Sequence, residues 1–83
     1  MSPKIIQERG YTVIIYFNDH PPAHVHVRKD NKDMRVNIET MTIMDDNHGF
    51  KSKEIKQVLS ILEANHGMLL ERWKKIHGNA DDE

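Results

Sequence analysis

His24-Val25-His26-Val27-Arg28-Lys29-Asp30-Asn31-Lys32-Asp33-Met34-Arg35-Val36-Asn37-Ile38-Glu39 contains two runs of alternating character around a polar centre. A strand points successive side chains to opposite faces. Val25 and Val27 therefore share one face and His24 and His26 the other, while Met34, Val36 and Ile38 oppose Arg35, Asn37 and Glu39. Asp30-Asn31-Lys32-Asp33 is turn-forming, so the stretch reads as a hairpin with strands at about His24 to Lys29 and Met34 to Glu39. With a loop of two or four residues, Val27 meets Val36, Val25 meets Ile38, His26 meets Asn37 and His24 meets Glu39. A two-residue slip, with His24 opposite Asn37, also keeps the valines against apolar partners. In the first register Arg28 and Arg35 are cross-strand neighbours.

Upstream, Pro21-Pro22 restricts the backbone and cannot donate ladder hydrogen bonds, so it marks the entrance to the first strand and leaves His20 at a stiff corner. Three of the six histidines and two of the three prolines fall between His20 and Val27, which marks this run as a site. Tyr11-Thr12-Val13-Ile14-Ile15-Tyr16-Phe17 is β-branched and aromatic on both parities, as expected of a central strand covered on both faces. Lys4 to Gln7 reads as a short strand closed by a turn at Arg9-Gly10.

Downstream, Thr40 to Met44 reads as another short strand and Asp45 to Gly49 as the loop to a helix. Ser52 is the expected N-cap, with Glu54 in the first turn and Ile55, Val58, Leu59 and Leu62 at helical spacing. Asn65-His66-Gly67 interrupts, and Leu69, Trp73 and Ile76 form a second stripe on a helix ended by His77-Gly78. Strands followed by helices give an α+β fold: four to five mostly antiparallel strands, then two C-terminal helices packed on one sheet face. The expectation is a single domain, with residues 1–50 as the sheet part, 51–78 as the helical part and 79–83 as a frayed tail.

Eighty-three residues leave room for one small core, so partner subunits, including a second copy of the chain, are natural contributors to stability. The absence of cysteine excludes disulfides, thiolate nucleophiles and Cys-ligated zinc, and fits a reducing cytoplasm. No signal peptide and no apolar run of ~20 residues is visible, so no membrane role is expected. A net charge of −1 gives no overall basic balance for non-specific nucleic-acid binding, which leaves local patches to supply it.

The run from His20 to Val27 resembles the His-x-Pro-Pro-His-Phe-His-Val signature of a bacterial family, the domain of unknown function 4160. His20, Pro22, His24, His26 and Val27 match, with Ala23 at the usual second proline and Val25 at the usual phenylalanine. Ile38-Glu39-Thr40 resembles the family's strand end, and Leu69-Leu70-Glu71-Arg72-Trp73 its Leu-Leu-Glu-x-Trp helix; Ile61 stands where tryptophan is frequent. The resemblance implies no established activity. Members are often encoded beside a second small protein in an arrangement like a toxin and antitoxin pair, which implies a toxin-like or partner-dependent role.

Three uses compete for His20, His24 and His26. Acid/base chemistry suits a pair of imidazoles near neutrality, as cleavage of RNA through its own 2′-hydroxyl requires, with Arg28 and Arg35 as phosphate contacts and Glu39 as an orienting carboxylate. A metal site would use the same imidazoles and Glu39, but that is the weaker assignment, and neither a metal nor any other cofactor is expected. The bland alternative is a hydrogen-bonded histidine face that organises the Pro-Pro loop. Two functional classes follow: a toxin-like component acting on RNA through His20, His24 and His26, and a non-catalytic module that docks a small cognate protein by its histidine face or a sheet edge. Trp73, Tyr11 and Tyr16 read as packing residues, and Lys51, Lys53 and Lys56 as a solvated helix face.

Overall fold

The computed structural model describes residues 4–16, 20–46 and 48–77. Five strands, β1 (Lys4–Glu8), β2 (Tyr11–Ile14), β3 (His24–Lys29), β4 (Lys32–Asn37) and β5 (Thr42–Ile43), form an antiparallel meander in chain order. Two helices, α1 (Ser52–Ala64) and α2 (His66–Ile76), follow, giving the expected α+β fold. The middle strand is β3, not β2. The β2 ladder ends at Ile14 opposite His26, beside the donor-poor proline corner, although Ile15 beyond it is still fully buried. The end expected at Phe17, the tail from Asn79 to Glu83 and the helix end at Gly78 lie outside the described residues.

The hairpin adopts the slipped register. His24 faces Asn37, Val25 faces Val36, His26 faces Arg35 and Val27 faces Met34, so β4 starts and ends two residues earlier than Met34 to Glu39. Both registers put the same residues on the same faces, so the hydrophobic pattern cannot choose between them. The turn chooses. Asp30 takes φ 57° as the first residue of the two-residue turn Asp30-Asn31, which closes the ladder at Lys29 and Lys32. The turn between β1 and β2 follows the same rule: Arg9 and Gly10 both have positive φ, matching the right-handed twist of the flanking strands. At the far end of β4 the Asn37 Oδ1 accepts from the Glu39 and Thr40 N–H groups at 2.8 and 3.1 Å. This local turn ends the strand and delays β5 to two residues, where five were expected.

One sheet face carries Tyr11, Val13, Val25, Val27, Met34 and Val36, all buried in a cluster with Val58, Ile61 and Leu62 of α1 and Leu69 and Trp73 of α2. Tyr11 satisfies its hydroxyl by donating to Gln57 Oε1 at 2.8 Å. The helix break is Asn65 alone, whose Nδ2 donates to the Ile61 carbonyl. His66 already belongs to α2, and its Nε2 donates to the Ile38 carbonyl at 2.6 Å, tying α2 to the end of β4.

The N-cap of α1 is Lys51, with Ser52 as the first helical residue. The cap is supplied from N3: Glu54 accepts from the Lys51 backbone N–H at 2.9 Å and from Lys32 Nζ at 2.9 and 3.0 Å, while Lys29 Nζ lies 3.7 Å away. The Lys51 N–H first, then Lys32, hold the Glu54 carboxyl down at about 2. A depressed folded value means that this contribution is complete above the unfolded value of 4.5 and is lost as pH falls through about 2. We expect Glu54→Gln to lower the urea midpoint at neutral pH, with the difference from wild type closing between pH 4.5 and about 2. A pH-independent difference would show that the charge of Glu54 is not what matters.

Candidate functional site

Residues of β3 with the parity of Val25 fill the core, so His26 and Arg28 are left on the outer sheet face, and His24 begins the strand where the proline corner bends the chain. His24 is 5 % exposed and is the one buried polar residue among those described. Its Nδ1 donates to the Pro22 carbonyl at 2.9 Å, an arrangement that in the neutral ring puts the lone pair on Nε2. His26 is half-buried, with its ring centre 5.2 Å from that of His24, and the Tyr16 ring stands edge-on to it at 4.6 Å.

His20, His24, His26 and Arg35 line one cavity of about 270 Å³, together with Pro21, Pro22 and Met44. The slipped register brings Arg35 there, because it sits directly opposite His26. The guanidinium is held in place by Asp45: Nη2 donates to Oδ1 at 2.8 Å, Nε lies 3.2 and 3.3 Å from the two oxygens, and the Arg35 backbone N–H donates to Oδ2 at 2.8 Å. The Arg35 side-chain hydrogen bond is the main cause that lowers the Asp45 carboxyl below its ordinary value, against partial burial; the Arg35 N–H, the Arg35 charge and the charge of His26 add to it. Asp45 is therefore ionised at neutral pH and lies within the electrostatic reach of His26. It supports the fold above its unfolded value of 3.8 and loses that effect as pH falls through its lower folded value.

Not every candidate reaches this cavity. Glu39 is exposed in the turn after β4, away from its expected place opposite His24, because the register slipped and Asn37 ended the strand. Arg28 is exposed opposite Asp33, not Arg35, and lines a different cavity. Asp45, Tyr16 and Met44 were not legible as site residues. Asp45 looked like a plain loop acid, and its role depends on the Met44 N–H donating to the Arg35 carbonyl at 2.8 Å, which lays this segment along β4.

Behind the cavity, His24 packs on Trp73 at 5.3 Å between ring centres, and Trp73 stacks on His77 at 3.8 Å. His77 donates through Nδ1 to the Trp73 carbonyl at 3.0 Å, and His48 Nδ1 accepts from the Phe50 N–H, so with His66 on the Ile38 carbonyl all three histidines outside the cluster have partners. Among the described residues no group of three His, Asp or Glu side chains is arranged to hold a metal ion, and no helix is long and apolar enough to cross a membrane. An open cavity lined by imidazoles and an oriented guanidinium suits an anionic oxygen group and proton transfer to or from it. No curated protein and no solved structure matches the chain significantly. A family model matches residues 10–74, most of the chain, and the protein belongs to that family, described as Domain of unknown function (DUF4160).

Proposed function

We propose that the cavity of His20, His24, His26 and Arg35 binds a phosphate of single-stranded RNA and cleaves the chain through its own 2′-hydroxyl, as the toxin-like member of a pair with a small cognate protein. The observation that carries this reading is the convergence of three imidazoles and a carboxylate-oriented guanidinium on one open cavity. Arg35, whose Nε and Nη2 already donate to Asp45, attracts the non-bridging oxygens with its guanidinium charge. His24, whose tautomer leaves Nε2 as the acceptor, takes the proton from the 2′-hydroxyl. The 2′-oxygen attacks phosphorus, the bond to the 5′-oxygen breaks, and His26, beside Asp45, gives that oxygen a proton. His20 at the proline corner contacts the phosphate. The products are a 2′,3′-cyclic phosphate and a free 5′-hydroxyl, and no metal or cofactor enters the balance.

Incubation of the purified protein with a short RNA and with its all-deoxy counterpart tests this. We expect the RNA to acquire 2′,3′-cyclic phosphate ends and the deoxy strand to bind but stay intact. Cleavage of both strands, or binding of neither, would remove the reading. The non-catalytic alternative also has an observation in its favour: β1 is an edge strand, paired on one side by β2. A partner strand can add there. If substitution of His26 disrupted only a protein complex, that alternative would replace the enzymatic one.

A further inference from the structure

A second cavity, of about 330 Å³, opens on the same sheet, with Lys4, Thr12, Ile14, Arg28, Lys29 and Asp30 in its wall. The ladder makes it a neighbour of the histidine cavity. Lys4 pairs with Ile14, Ile14 with His26 and His26 with Arg35, so four strands set these residues in one row across the sheet. At ~4.8 Å per strand the row is roughly 14 Å long. Lys4 and Ile14 wall the second cavity, while His26 and Arg35 wall the first. Arg28, two residues along β3 from His26 and so about 7 Å away on the same face, is the exposed guanidinium of the second cavity.

The polar groups facing Arg28 come from three strands and a turn, and two of them are acids. Asp33 lies opposite it on β4 and Thr12 opposite it on β2, with Asp30 in the turn and Lys4 on β1. Lys29 is drawn to Glu54 at 3.7 Å and lies over the Tyr11 ring at 4.8 Å, so it contributes little to the opening. The cation on which the site rests is therefore Arg28, with the Thr12 hydroxyl as a neutral donor on the neighbouring strand. A guanidinium beside a hydroxyl suits a phosphate diester better than a point cation, because the fork can bind two oxygens.

We propose that the Arg28 cavity holds the phosphate next to the one at His26 and Arg35, so that a single-stranded RNA crosses the outer sheet face along the row from Lys4 to Arg35. This rests on the reading of the histidine cavity as an RNA phosphate site. It makes the substrate a polynucleotide, and a nucleotide with one phosphate would fill only the histidine side.

The test uses two probes that cannot be cleaved, 2′-O-methyl hexauridylate and uridine 3′-monophosphate, titrated against wild type, Arg28→Ala and Arg35→Ala with thermal melts as folding controls. Arg28→Ala is expected to weaken the hexamer about five- to tenfold through the lost charge-assisted contact, and to leave the monophosphate within about twofold. The slope of log affinity against log salt for the hexamer should fall by about 0.7, the loss of one phosphate contact on a single strand. Arg35→Ala is expected to weaken both probes. If the wild type binds both probes and Arg28→Ala changes neither the hexamer affinity nor its salt slope, the second site is overturned and the histidine site stands. Equal losses for both probes would also overturn it, by making Arg28 part of one site. Binding of neither probe to wild type would remove the histidine reading and this inference with it.

Discussion

Trp73→Ala should destabilise the protein by about 3 to 5 kcal/mol, because it removes a large buried ring and the surroundings cannot fully collapse into the space. Trp73 is 9 % exposed and lies in the same cluster as Val25, Val36 and Leu62, with its ring against His24 of β3 and His77 at the end of α2. Domains have total stabilities of about 5 to 15 kcal/mol, and one this small sits toward the lower end, so much of the variant should be unfolded at ambient temperature. A urea or thermal melt checks it. An unchanged midpoint would mean that Trp73 does not hold α2 against the sheet, and the backing assigned to His24 would go with it.

His26→Gln should cut the proposed RNA cleavage by about 10²- to 10⁴-fold, the usual contribution of a positioned acid or base, while leaving the melt close to wild type. The separation is expected because His26 projects from the outer face, half-buried, and the valines on either side of it make the core contacts. Gln keeps a polar side chain of similar length but cannot deliver a proton. A loss of activity that only tracks a loss of folded protein would reduce His26 to a packing partner of Tyr16.

The faces of β3 and β4 were legible in the sequence because a strand alternates with period two, and any even slip preserves that. The register was not. It depended on Asp30 accepting a positive φ, which most turn-forming polar runs also permit. That single step decided the membership of the site, moving Arg35 opposite His26 and carrying Glu39 out into a turn. The grouping of His24 with His26 follows from parity. The contribution of Asp45 does not, since Asp45 and Asp46 look equivalent until a backbone bond from Met44 to Arg35 aligns the loop with β4. Ser52 was a good cap by type, but Glu54 reaches the N–H one residue earlier and binds two lysine-bearing strands at once, so the helix begins around the carboxylate.

Imidazole resonances of His20, His24 and His26 followed by NMR across pH, with and without the 2′-O-methyl hexauridylate, address the claim of a shared phosphate site most directly. An anion that binds the protonated rings must raise their folded midpoints by the same linkage that makes it bind more tightly at lower pH. The account predicts that the oligonucleotide shifts the resonances of at least two of the three rings together, moves their midpoints upward, and loses affinity as pH rises through the imidazole range. Three independent titrations that ignore the oligonucleotide would contradict it.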